Sequence, residues 1–228
     1  FESEIMQDQN IRKAIEMGID KEGFCSVIME GRGLPAKAAF PDSFSYGNEA
    51  VETVSYDPEG AKKLLEESGW KDTDGDGYAD KDGQKLTIDW LTYPTRLEQP
   101  KLAEYAQATL KEIGIDVVVN NTSDHMTYAA DGNFDVYVSS TTTAPTGDPE
   151  YFFTSTVVGP KNYGKYENKE VTALTEKLHQ AFEPEERAKL ATELQQKILD
   201  DDGFFFVSHL NMGIVTKSNV KGMAAHPC

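Results

Sequence analysis

The sequence predicts an α/β fold, a mixed β-sheet flanked by helices. Three observations predict it. Helix-like and strand-like segments alternate from end to end, with no internal repeat or low-complexity tract. Residues 85–93 (KLTIDWLTY) and 115–120 (IDVVVN) read as strands on either side of a long amphipathic segment, 97–113, which is the pattern of a parallel pair joined by a right-handed crossover. Helix starts and stops carry their expected punctuation of Asp, Pro and Gly.

Taken in order, residues 8–17 (DQNIRKAIEM) place Ile11, Ala14, Ile15 and Gly18 at helical spacing behind Asp8 as a cap. Asp20 caps a second short helix with Phe24, Val27 and Ile28 on its apolar face, and Gly31 stops it. Residues 31–46, with Gly33, Pro35 and Pro41, read as an extended loop. Asp57-Pro58-Glu59 combines a capping Asp, a first-turn Pro and an acid at the positive end of the helix dipole, so a helix runs from there to Ser68 and ends at Gly69. After the β–α–β unit come a short helix over 122–130 and a third strand over 134–140 (FDVYVSS). Helices over 168–182 and 185–199 meet at Pro184, and closing strands are expected over 204–210 and 213–216.

The 228 residues carry 22 basic and 39 acidic side chains, a formal net charge of -17. A surface that acidic repels nucleic acid and anionic membranes, so polyanion binding is excluded as a function class. The longest apolar stretch, 203–207, is far shorter than the roughly 20 residues a spanning helix needs. No leader or lipobox is visible, so the chain reads either as cytoplasmic or as a piece of a longer protein. Cys25 and Cys228 have neither disulfide-framework nor metal-site spacing, and Cys25 reads as a small buried hydrophobe.

Several segments in a consistent order carry a resemblance. They are NIRKAIEMGIDKEGFCSVIMEGRGLPA, YDPEGAKKLLEESGW, the DTDGDG and DGQKL turns, LAEYAQATLKEIGIDV, FDVYVSSTTTAPTGDPEYFF, YENKEVTAL and FFFVSHLNMGIVTKSNVKGM. The set resembles the C-terminal lobe of the extracellular solute-binding proteins of the peptide/nickel class of ABC importers (family 5). The resemblance covers nearly the whole chain. It implies one ligand-binding lobe over 1–228 of a two-lobed protein, with 204–228 leading back toward a hinge and the N-terminal lobe absent. It also implies a monomer, secreted or lipid-anchored, that hands a small ligand to a membrane permease. VSHLNMGIVTKSNVKGM is closer to the nickel and nickel–metallophore members, which makes nickel, carried as a chelate, the first expectation and a short peptide the alternative.

The candidate site residues follow from that lobe. Ligands of open α/β sheets bind beyond the carboxyl ends of the strands, and Thr141, Thr142 and Thr143 follow the third strand. Many relatives have a Trp here, and threonine implies a roomier pocket. Tyr151 begins an aromatic run after Asp148-Pro149, one ring of which is expected to line the cleft. Some nickel binders of this type carry a His in the next loop. Here 158–166 (VGPKNYGKY) has none, and Asn162 and Tyr163 suit hydrogen bonding to a carboxylate better than bare nickel. His209 is expected near the hinge, its plainer role being a hydrogen-bonded strand residue. His125, His179 and His226 form no metal-spaced pair. Asp72, Asp74, Asp76 and Asp80 have the odd-position spacing of a calcium loop with Gly77 at its turn, but Gly83 stands where the bidentate Glu belongs. An acidic hairpin turn is the preferred reading, with a weak calcium site as the alternative. No nucleophile elbow, zinc signature, phosphate loop or paired-cysteine site appears. The chain is therefore read as a binding module rather than an enzyme, with a two-carboxylate hydrolase fragment as the distant alternative.

Overall fold

Aspartates start the first helices. In the computed structural model, which describes residues 3–144, 146–211 and 213–223, Asp8 accepts from the Asn10 amide ahead of α2 (Gln9–Met17), which follows the single turn α1 (Glu4–Gln7). Asp20 accepts from Gly23 at α3 (Lys21–Gly23), and Asp57 from Gly60 at α4 (Pro58–Glu67). Each cap satisfies a backbone N–H that the helix itself leaves unpaired. His226 and Cys228 lie outside the described residues.

α3 passes directly into a π-turn over Phe24–Ile28. The wider turn keeps Phe24 and Cys25 in the core but swings Val27 out, 71% exposed, against the expected apolar face. Cys25 is buried as expected, and burial pushes its thiol up to about 11. The segment beyond Gly31 is not loop throughout. β1 (Gly33–Pro35) pairs antiparallel with β7 (Ser208–Leu210).

β4 (Thr87–Thr92) is the centre of a three-stranded sheet in the order β5-β4-β6. β5 (Asp116–Asn121) pairs with it in parallel, as expected, Thr87 opposite Asp116 through Thr92 opposite Asn121. α5 (Glu98–Glu112) is the crossover and lays Leu102, Ala103, Ala106 and Leu110 on the core that also holds Ile88 and Trp90. The third strand is shorter than 134–140. β6 covers Val136–Tyr137, parallel to β4, because Ser140 leaves the ladder and donates its amide to the Tyr93 hydroxyl. The antiparallel pairings stand apart from this sheet, in β1–β7 and in the ribbon β2 (Asp80–Lys81) with β3 (Gln84–Lys85). The β2–β3 turn holds Asp82 at φ 53 and Gly83 at φ 76, the left-handed pair a tight hairpin requires.

A second core gathers under α8 (Lys169–Gln180) and α9 (Pro184–Asp200), where Phe40 meets Tyr46, Phe152 and Phe153 at ring distances of 5.0, 5.9 and 6.2 Å. Phe152 belongs to α7 (Glu150–Phe152) and Phe153 opens a π-turn to Val157. The expected strand over 204–210 is reduced to β7. Its first residues are extended without a ladder, with Phe204 and Phe206 on the second core and Phe205 and Val207 on the first. Period-two alternation there serves two cores rather than two faces of a sheet. Residues 213–216, expected as a strand, form none, since no ladder partner lies beside them among the described residues.

Candidate functional site

The carboxyl ends of the parallel strands meet in a cluster of rings. Tyr93 follows β4, and α6 (His125–Ala130) follows β5 and begins with His125. The His125 ring stacks on Tyr93 with centroids 4.1 Å apart and planes 20° off parallel. Its Nδ1 lies 2.8 Å from the hydroxyl of Tyr137, the last residue of β6. Tyr163 closes edge-on against Tyr137 at 5.9 Å, and Phe134 packs against the same ring, tilted, at 5.8 Å. Burial pushes the Tyr137 phenol up to about 12, so it stays protonated at any physiological pH.

A polar chain continues from the rings. The Ser140 amide donates to Tyr93, and the Gln99 amide nitrogen donates to Ser140 Oγ at 2.6 Å. Near the same strand end, Thr92 Oγ1 and Gln99 Oε1 are buried with no partner among the described residues. A buried polar atom left unpaired costs about 1–3 kcal/mol, so these two atoms are a local cost to the fold at this strand end.

The expected site residues divide around this cluster. Thr141, Thr142 and Thr143 lie just beyond Ser140 in irregular chain, the first two exposed. Tyr163 touches the cluster directly. Asn162 is braced on its own loop, the side chain donating to the Tyr166 carbonyl at 2.8 Å and accepting from the Tyr166 amide at 3.0 Å. Tyr151 is 48% exposed, its hydroxyl accepting from Lys161, while Phe152 and Phe153 go to the core. His209 sits in β7 opposite Leu34 with Nε2 3.1 Å from Asn48 Oδ1, and burial lowers its pKa. His179 is on the surface of α8, paired with Glu150, whose carboxyl it holds below its ordinary range. The sequence marks His125 only as a histidine without a metal-spaced partner and assigns no role to Tyr93 or Tyr137. Their signal was present, a ring at or just after each of two strand ends and a His at the start of the next helix.

In the acidic turn, carboxylate oxygens of Asp72, Asp74 and Asp80 lie within 4.8 Å of one another. Asp76 stands apart from them, paired with Lys85 at 2.8 Å, and that ammonium lowers its pKa. Asp72 accepts from the amides of Gly75 and Gly77, and Asp80 from the amide and hydroxyl of Thr73. Asp74 accepts from the Asp76 amide and Asp76 from the Tyr78 amide, each two residues on, and these are the bonds of Asx turns.

Residues 1–164 match the family model of the bacterial extracellular solute-binding proteins, family 5, middle region. The chain belongs to that family. Among curated relatives of this family 5 chain, the oligopeptide-binding protein AppA of Bacillus subtilis is 28% identical over 99% of the chain, and the nickel-binding protein NikA of Staphylococcus aureus is 27% identical over 96%. The chain spans 43% of the length of each. Among solved structures, AppA in complex with a nonapeptide superposes with a TM-score of 0.78 at 27% identity, covering 91% of this chain and 43% of AppA. Staphylococcus aureus NikA in complex with Ni(L-His)2 gives 0.72 at 27%, covering 86% of this chain and 40% of NikA. The α/β architecture is thus that of the binding-protein family, and its relatives are named for binding rather than for catalysis.

Proposed function

We propose that this chain is the C-terminal ligand-binding lobe of the substrate-binding component of an ABC importer. On this reading the full-length protein works outside the cytoplasmic membrane, held there by a lipid anchor, as a monomer that delivers its ligand to a permease. The ligand is nickel, carried as a small organic chelate. The observation that carries the reading is the ring of Tyr93, His125, Tyr137 and Tyr163 at the carboxyl ends of three parallel strands, where open α/β sheets bind ligands. One imidazole among phenols is too few donors to strip and hold a bare transition metal, whereas a chelate brings its own ligands and asks only for hydrogen bonds and ring faces.

A short peptide is the second reading, favoured by the similarity to AppA along nearly the whole chain. Both ligands present carboxylates to the same donors. Native mass spectrometry of the full-length protein purified from its host separates them. A mass increment containing nickel and a small chelator is expected, and a co-purified peptide would reverse the order. Turnover of a substrate by the full-length protein would instead revive the hydrolase class.

A further inference from the structure

We propose that His125 is the ligand-contacting residue of this lobe and that it presents Nε2–H to a carboxylate of the ligand. The proposal rests on the binding reading above and assigns its chemistry to one atom.

Two contacts fix the ring. Tyr93 stacks against its face at 4.1 Å, which sets the plane. Tyr137 Oη lies 2.8 Å from Nδ1, which sets the rotation within that plane. The tautomer follows from donor strength. A phenol O–H is a better donor than a neutral imidazole N–H, and an imidazole nitrogen is a better acceptor than a phenol oxygen. The other acceptor near that hydroxyl is the Met126 thioether at 3.9 Å, a weak one. Tyr137 therefore donates to Nδ1, and the ring proton resides on Nε2.

No hydrogen bond among the described residues engages that Nε2–H, and the ring is only half-buried. The neighbouring acid, Asp124, is turned to the Thr127 hydroxyl at 2.9 Å. A carboxylate leaving water needs donors, and an N–H held in place by aromatic packing loses little freedom when it binds. Direct metal coordination requires the opposite tautomer, with the lone pair on Nε2. The ring thus addresses the carboxylate that a peptide terminus and a metal chelator share, and it leaves the metal to the chelator.

The test uses the full-length protein, titrated calorimetrically with the nickel–histidine chelate, with a short alanine-rich peptide, and with the C-terminal amide of that peptide. His125→Ala is expected to weaken the carboxylate-bearing probe that binds by about 10-fold or more. His125→Gln, whose amide N–H2 stands close to Nε2, keeps affinity within about 3-fold of the original. The amidated peptide is indifferent to either change. Nitrogen-15 NMR of the unmodified protein is expected to show the Nε2–H tautomer, and Tyr137→Phe to release it toward a mixture. Unchanged affinity in His125→Ala, or a Nδ1–H tautomer in the unmodified protein, would overturn the assignment. If the Ala variant does not fold, the Gln variant and the NMR measurement decide by themselves. An unmodified protein that binds neither chelate nor peptide overturns the transport reading itself, whereas binding that ignores position 125 overturns only this one.

Discussion

Asn162 illustrates how a side chain suited to ligand recognition is spent on its own loop. Its amide is used twice on the backbone of Tyr166, once as donor and once as acceptor. That bracing fixes the turn before α8 and sets Tyr163 against Tyr137. Asn162→Ala removes both bonds and should lower unfolding stability by about 1–3 kcal/mol, read by denaturant titration. Its effect on ligand affinity should be smaller than that of His125→Ala, since it acts only through the placement of Tyr163. A variant with full stability and lost affinity would return Asn162 to the ligand. At this scale the sequence is informative about residue type and silent about aim. Donors near the strand ends were legible, and so were the caps Asp8, Asp20 and Asp57, because a cap bonds an amide two or three residues away. The stacking of His125 on Tyr93 joins residues from different elements, and nothing local to either one encodes it.

The β1–β7 ribbon shows the same limit for elements. Each strand has three residues, and Leu34 and His209 pair across most of the chain. Strands that short carry no period-two signal, and their stability comes from the partner. The β4–α5–β5 unit was legible because its strands and crossover are long and adjacent in sequence. The ribbon carries a pH signature. His209 donates through Nε2 to Asn48 Oδ1, which also accepts from the amides of Lys37 and Ala38. Burial lowers the His209 pKa below 6.5, with Asp42 opposing. The unfolded chain then binds a proton at His209 more readily than the folded one. The contribution is fully present above pH 6.5 and is lost as pH falls from there through the depressed folded value. His209→Gln keeps a donor for Asn48 without titrating, so its melting temperature should decline less steeply than that of the original protein as pH falls below 6.5. Parallel slopes for the two proteins would remove His209 from the acid response. Asp202 works in a separate window. Burial raises its pKa above 3.8, so it favours the fold as pH falls through the carboxylate range.

At the scale of the whole molecule, two cores are stitched by one extended strip. Phe204 and Phe206 enter the core under α8 and α9, and Phe205 and Val207 enter the core under the sheet. The Arg12 guanidinium adds a polar clasp, bonding the carbonyls of Asp201 and Asp202 on the far side of the chain. Such cross-ties join the two cores through residues far apart in the sequence. The ring cluster, in contrast, is one wall. Its His125 Nε2–H and the exposed Thr141 and Thr142 give it a polar surface, while the unpaired Thr92 and Gln99 atoms are buried. On the two-lobed reading proposed above, hinge closure divides the contacts between two walls, and a lone lobe holds about half of the interaction free energy. A ligand bound at about 1 μM by the full-length protein has near −8 kcal/mol, and half of that corresponds to about 1 mM. Residues 1–228 produced alone should therefore melt cooperatively yet bind the same ligand roughly a thousandfold more weakly than the full-length protein, with calorimetry on both as the measurement. Equal affinity would mean that this lobe carries a complete site and that closure is not the means of capture. A chain that fails to melt cooperatively would show instead that the strip at 204–207 does not suffice to join the cores.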